Sequence, residues 1–235
     1  MSRRPAILAV IPARGGSRRL PGKNVLRLGD RPVIAWTIRA AEGSRLLDDT
    51  VVSTDNSRIA RAARKWGGVV PFLRPARLAT SRASSVDVAI DALGRMEEKT
   101  GRRYDYLVLL QPTSPLRTTE DIDNAIRLCV RRKARAVITV SPAEHDPRWT
   151  NSLGSANSMK GFLDPRKRRN RGPFYRLNGA VYVCRADVLR RERTFFPSKG
   201  CYASVMPVER SVDIDTRTDF ILAEALARKR CRGPA

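Results

Sequence analysis

Four short runs, Ala6–Ile11, Thr50–Thr54, Tyr106–Leu110 and Ala136–Val140, are rich in apolar and β-branched residues and do not alternate with charged ones. Runs of this kind mean that both faces of a strand are buried, as in a sheet covered by helices on each side. The segments between the runs supply those helices. Pro32 suits a first helical position ahead of Val33, Ile34, Ile38 and Ala41. Asn56 is placed to cap a helix carrying Ile59, Ala63 and Trp66, which Gly67-Gly68 ends. Ser84 or Ser85 opens another, with Val86, Ile90 and Leu93 on one side. Thr118-Thr119 before Glu120 and Asp121 starts a further helix, with Ile122, Ile126 and Cys129 inward. Strands alternating with helices predict an α/β chain with a mostly parallel sheet.

Past Ser141 the pattern changes. As far as Pro173 the sequence reads as a long loop containing Pro147, Gly154, Gly161, Pro165 and the basic run Arg166–Arg171. A loop of this length in a compact chain is usually functional or disordered. Ala180–Cys184, Val205–Val208 and Val212–Thr216 read as three further strands. A last amphipathic helix carries Phe220, Ile221, Leu222, Ala225 and Leu226, and a basic tail follows at 228–235. No apolar run approaches the roughly 20 residues that span a bilayer. Arg3-Arg4 and the short apolar run behind them lack a small-residue cleavage site, so the expectation is a mature, cytoplasmic chain without membrane contact.

Lys+Arg number 46 against 23 Asp+Glu, a net charge of +23. Such an excess favours anionic partners: a triphosphate, a nucleic acid or an acidic surface. Aromatic residues make up only 6% and do not interleave with the basic ones, which argues against a single-strand stacking platform. Four cysteines without a C-x-x-C pair, and one histidine, exclude the usual zinc spacings and point to free thiols.

Four elements carry candidate chemistry. The first expected strand runs into Ile11-Pro-Ala-Arg14-Gly15-Gly16-Ser17-Arg18-Arg19-Leu20-Pro21-Gly22-Lys23-Asn24, at the carboxyl edge where open α/β sheets bind ligands. Glycines admit phosphate close to backbone N–H groups, and Ser17 adds a donor. Arg14, Arg18, Arg19 and Lys23 can neutralise a triphosphate and its pyrophosphate leaving group. The Walker A spacing is not satisfied. The second element, Gln111-Pro112-Thr113-Ser114-Pro115-Leu116-Arg117, puts polar side chains at the end of another strand. The third, Val212-Asp213-Ile214-Asp215-Thr216, turns both carboxylates to one side if extended, and two hard oxygen ligands plus substrate phosphates suit Mg²⁺. Asp215-Thr216 also reads as a cap for the last helix. The fourth joins the Arg168–Arg171 run to Tyr175-Arg176-Leu177-Asn178-Gly179-Ala180-Val181-Tyr182, cations ahead of a turn that can present backbone donors to an anion.

In order and spacing, these elements resemble the CMP-N-acylneuraminate synthetase family from about Ala6 to Ala227, as does R-P-x-x-L-A at Arg74–Ala79. Asn24 after the lysine and the Gln-Pro-Thr-Ser-Pro element separate the pattern from that of the related CMP-Kdo synthetases. The resemblance implies a Rossmann-like nucleotidyltransferase fold with helices on both faces of the sheet. It implies one cytidylyltransferase domain over residues 1–235, with a small dimerisation and sugar-binding extension at about 141–205 that exchanges contacts in a homodimer. By similarity, Arg14, Asn24, Arg74, Ala83, Ser85 and Gln111 contact nucleotide or sugar, and Asp213 and Asp215 hold Mg²⁺. Arg168 matches the family's active-site arginine, and Tyr182, Phe195 and Phe196 match its sugar pocket. Ser17, Arg18, Lys23, Thr113, Arg176 and Asn178 complete the expected substrate-binding set, with Arg14, Lys23 and Arg168 as the catalytic cations.

The chain departs from the family pattern at Ser81, often aspartate, at Arg169, usually glutamine, at Gly172, commonly proline, and at Trp149, where some members carry lysine. The expected reaction is transfer of CMP from CTP to the anomeric hydroxyl of N-acylneuraminate, a nine-carbon acidic sugar, with release of pyrophosphate. The alternatives are the same reaction on legionaminic, pseudaminic or deaminated sialic acid and, remotely, a nucleic-acid-binding protein on a vestigial fold.

Overall fold

Strand β1 (Ile7–Pro12) lies inside the sheet and feeds two separate cores. Ile7, Ala9 and Ile11 face one, while Leu8 and Val10 face the other, as the period-two geometry of a strand requires. A computed structural model describes residues 3–153, 155–159 and 172–231 of the chain. Its main sheet holds β4 (Asp49–Ser53), β1, β5 (Tyr106–Leu109), β7 (Tyr175–Arg185), β6 (Ala136–Pro142) and β8 (Cys201–Val205), in that spatial order. β1 pairs in parallel with β4 and β5, and β6 with β8, while β7 runs antiparallel to both β5 and β6. β2 (Arg27–Leu28) and β3 (Arg31–Pro32) form a small separate pair.

The first core packs against α1 (Val33–Glu42), α2 (Ser57–Lys65) and α4 (Thr119–Arg131) through Ile34, Ile38, Ile59, Ala63, Ile122 and Ile126. The second packs against α3 (Ser85–Thr100) and α5 (Ala186–Glu192) through Ala89, Leu93, Val188 and Leu189. A third cluster joins α6 (Arg217–Cys231) to the β2 region through Phe220, Ala223, Leu28 and Trp36, and also buries Val212 and Ile214. The helix starts follow the expected chemistry. The Asn56 carboxamide oxygen accepts from Arg58 N and Ile59 N, Ser84 accepts from Asp87 N, and Thr118 forms a reciprocal capping box with Asp121. Among the described residues, no helix is long and apolar enough to cross a membrane.

Several boundaries differ from the sequence reading. Pro32 is the residue before α1 rather than its first, because it closes the β2–β3 pair opposite Arg27. The strand expected at Ala180–Cys184 begins at Tyr175, since its early part is alternately exposed and lacks a continuous apolar signature. The strand expected at Val205–Val208 is β8 at Cys201–Val205, and Pro207 has no N–H with which to extend it. Val212–Thr216 joins no sheet. Burial of Val212 and Ile214, and one bond from Ile214 N to Thr113 O (2.7 Å), hold it instead. In the stretch after Ser141 the described residues include short 3₁₀ turns at Pro147–Trp149 and Ser155–Asn157.

Removing the capping box at α4 isolates a local stabilising term. Thr118→Ala is expected to cost about 1 kcal/mol. That corresponds to a fall in Tm of about 2–4 °C for a chain of this size. Scanning calorimetry measures it, and an unchanged Tm would show that the box adds nothing to the native state.

Candidate active site

At the carboxyl edge of β1 the chain leaves the sheet under tight local control. Ala13 N donates to Ser53 O (2.9 Å) and Gly15 N donates to Asp55 Oδ1 (3.0 Å), so the first turn of the loop is tied to the end of β4. A Cβ at Gly15 would stand 2.7 Å from Asn56 Nδ2, and Asn56 is fixed as the cap of α2. Only glycine permits this approach. Farther on, Asn24 is buried and its Nδ2 donates to Arg14 O (3.1 Å), cross-linking the two ends of the loop. The Arg14 guanidinium donates to Thr80 O at 3.2 Å.

The loop forms one wall of a cleft of about 550 Å³. Arg14, Ser17, Arg18, Arg19, Lys23 and Asn24 all line it. Arg74 reaches it from beyond β4, largely buried, with Nε on Ser53 Oγ (3.1 Å) and Nη2 on Ser53 O. Burial holds the Arg74 pKa below its ordinary value. Ala83 and Ser85 line the cleft at the amino end of α3, where a helix end favours anions. Gln111 and Thr113 close the side beyond β5. Asp213 and Asp215 supply the negative charge.

The two carboxylates have different surroundings. Asp215 is half-exposed and paired twice, to Arg19 Nη2 (2.5 Å) and to Lys23 Nζ (3.0 Å). The Lys23 ammonium also donates to Ile214 O at 2.9 Å. Asp213 Oδ1 is buried without a hydrogen-bond partner. Burial pushes the Asp213 carboxyl above the usual range and the neighbouring Asp215 charge adds to that, while a hydrogen bond from Thr113 opposes it. No group of three or more His, Cys, Asp or Glu that could hold a metal occurs among the described residues. The orphaned Asp213 oxygen and the adjacent Asp215 nevertheless offer the two hard ligands of a Mg²⁺ site that draws its other oxygens from phosphate and water.

The expected strand geometry of Val212–Thr216 is absent, yet burial of Val212 and Ile214 still directs both aspartates to the cleft side. Other expected site residues lie elsewhere. Arg176 Nη2 donates to Glu144 Oε1 (2.8 Å) and Ser211 O (3.2 Å), outside the cleft lining. Asn178 is 1% exposed and internally bonded: Oδ1 accepts from Thr139 Oγ1 (2.7 Å) and Ala180 N (3.1 Å), and Nδ2 donates to Ser211 Oγ (3.0 Å). The turn expected here is part of β7, where the register with β6 shifts, and Asn178 braces that irregularity rather than lining the cleft. Tyr182 is buried against Phe195 and Phe196, each ring centroid 5.7 Å away, and Phe196 is half-exposed. These rings form a neighbouring cluster, with Tyr182 within electrostatic range of Asp213. Arg168 and Arg169 lie outside the described residues. The sequence reading gave no role to Arg117, which is buried beneath the Gln111 turn. Its one signal was a charged residue closing an otherwise uncharged, proline-fixed strand-to-helix connection.

Comparison with known proteins places this arrangement. The family described as Cytidylyltransferase matches residues 8–231. A CMP-N,N'-diacetyllegionaminic acid synthase from Legionella pneumophila is 38% identical over 223 residues, covering 94% of this chain and 95% of that protein. An N-acylneuraminate cytidylyltransferase from Escherichia coli is 34% identical over 97% of this chain, but the match spans only 54% of that longer protein. Among solved structures, a CMP:2-keto-3-deoxy-manno-octonic acid synthetase complexed with CTP superposes with a TM-score of 0.72 at 18% identity. It covers 96% of this chain and 99% of its own, a likeness of fold. The chain belongs to the cytidylyltransferase family.

Proposed function

We propose that this chain transfers CMP from CTP to the anomeric hydroxyl of a nine-carbon acidic sugar. The observation that carries the reading is the cleft itself, where Arg14, Arg18, Arg19, Lys23 and Arg74 face Asp213 and Asp215 at one sheet edge. Five cations suit a triphosphate and an acidic acceptor, and two carboxylates suit the divalent ion that accompanies them. In the reaction, the sugar oxygen forms a bond to the α-phosphorus of CTP, the bond to the bridging oxygen breaks, and pyrophosphate and a proton are released. Arg14, Arg18 and Lys23 neutralise the phosphates and align the chain of phosphorus atoms. Arg74, braced on Ser53, gives the cleft a fixed positive wall. Mg²⁺, when held by Asp213 and Asp215, would add charge neutralisation on the phosphate oxygens. Arg168 keeps the catalytic role that the family resemblance assigns it.

N-acylneuraminate is the first acceptor to test. A diacylated nonulosonate is the second reading, favoured by the similarity to the Legionella protein over almost the full length of both chains. The segment at about 141–205 is proposed as the dimerisation and sugar-binding extension. Tyr175, Leu177, Tyr202 and Val205 are exposed apolar side chains there, in keeping with an interface.

Three measurements test these readings. With CTP, Mg²⁺ and a panel of nonulosonates, pyrophosphate release identifies the acceptor, and Asp215→Ala should lose at least about 10²-fold in kcat with the fold retained. Full activity in that variant would remove Asp215 from the metal role. In metal-free buffer, Asp213→Asn should be more stable than the parent at neutral pH. The native carboxyl has a raised pKa, so its ionisation destabilises the fold above that pKa, and the difference should vanish as pH falls below the ordinary carboxylate range. A stability gap independent of pH would contradict the assigned burial. Light scattering should give the mass of two chains, and Leu177→Glu should reduce it to one.

A further inference from the structure

Arg117 is 1% exposed, and among the described residues no carboxylate makes a hydrogen bond to it. A buried cation is costly unless its donors are met, and here each of its three nitrogens donates to one neutral oxygen. Nε donates to Ala180 O (2.8 Å), Nη1 to Thr37 Oγ1 (2.7 Å) and Nη2 to Gln111 O. Those acceptors belong to β7, to α1 and to the turn that follows β5. Burial pushes the guanidinium pKa down to about 9, with Asp121 and Asp213 the charges that oppose the fall.

What Arg117 holds together surrounds one carboxylate. Thr113, in the turn it grips, hydrogen-bonds Asp213, and Thr113 O accepts from Ile214 N at 2.7 Å. Ser114 Oγ donates to Asn178 O (3.0 Å), joining the same turn to the start of β7. Gly179 has φ 69°, and a Cβ there would lie 3.2 Å from Gln111 Oε1 and 3.6 Å from Asp213 Oδ2. The Gln111–Ser114 turn and the irregular Asn178–Gly179 part of β7, where its register with β6 shifts, thus meet at Asp213, and Arg117 binds Gln111 O and Ala180 O beside them.

We infer that Arg117 is a positioning residue for the Asp213 carboxylate, acting through the Gln111–Ser114 turn and the irregular Asn178–Gly179 part of β7. The inference rests on the reading of Asp213 and Asp215 as holders of the divalent ion. It requires the planar fork of an arginine, because a lysine ammonium cannot span acceptors on three separate elements in the same way.

The test compares Arg117→Lys, Arg117→Met, Ser114→Ala and Thr37→Val with the parent chain. Mn²⁺ binding in the presence of CTP, followed by electron paramagnetic resonance, needs no turnover, and kcat and KM come from pyrophosphate release. Both Arg117 variants should bind Mn²⁺ roughly 10–100-fold more weakly and lose kcat by a similar factor, the usual range for an outer partner of a metal ligand. KM for CTP should stay within about threefold, because the cleft cations are untouched. Thr37→Val removes one of the three acceptors of Arg117, so it should lower Tm and should weaken Mn²⁺ binding and kcat in the same direction as the Arg117 variants, by a smaller factor; parental Mn²⁺ affinity and kcat there count against the inference. A folded Arg117→Lys with parental Mn²⁺ affinity and kcat overturns the inference. If neither Arg117 variant folds, Ser114→Ala decides: it unpins the same two segments without removing a charge, and parental Mn²⁺ affinity there is equally fatal. A parent chain inactive on every sugar would instead sink the proposed activity, while the Mn²⁺ comparison still judges Arg117.

Discussion

The two-sided burial of β1 constrains everything else in this molecule. A strand covered on both faces has no room for polar side chains along its length, so polar chemistry is forced to its ends. β4 and β5 flank it in parallel, and the loops at the three carboxyl ends therefore come together on one edge. The glycine-rich loop, the Arg74 segment and the Gln111 turn are neighbours for that reason alone. The opposite edge carries ion pairs instead. There Arg103 and Arg190 pair with Glu97, and Arg185 pairs with Asp187.

Within the cleft the electrostatics are deliberately unequal. Asp215 is satisfied by Lys23 and Arg19, whereas Asp213 is desolvated with one oxygen unmatched. The neighbouring Asp215 charge adds to the cost of ionising Asp213, and a cation beside it relieves that cost. The basic loop and the acidic pair thus hold opposite charge in reserve for a ligand that carries both signs. Arg117 lies behind this arrangement as a buried charge whose hydrogen bonds go to neutral oxygens.

Much of this was legible in residues alone. The apolar runs located β1, β4, β5 and β6, and Asn56, Ser84 and Thr118 marked helix starts by their side-chain oxygens. The cations of the first loop and the aspartate pair also reached the cleft as expected. What escaped was set by tertiary contact. Asp213 and Asp215 face the cleft because Val212 and Ile214 are buried in the third cluster, not because a sheet holds them. Asn178 looked like a ligand-binding residue, but Thr139, Ala180 and Ser211 occupy its carboxamide. Spacing cannot reveal such partners, since they lie 2 to 39 residues away in the chain. Arg117 escaped for the converse reason, its charge being a surface trait in most sequences.

The reversed sense of β7 separates two kinds of variation. Its first residues stand at the edge where β1 and β5 end, and Pro142, the last residue of β6, is paired with Tyr175 there. The long connection between β6 and β7 consequently leaves and re-enters the sheet beside the cleft. Substitution or lengthening of that connection alters chain joined to this edge while the β1 loop stays braced on Asp55 and Asn56. Variation can therefore collect between β6 and β7 with the basic half of the cleft left intact.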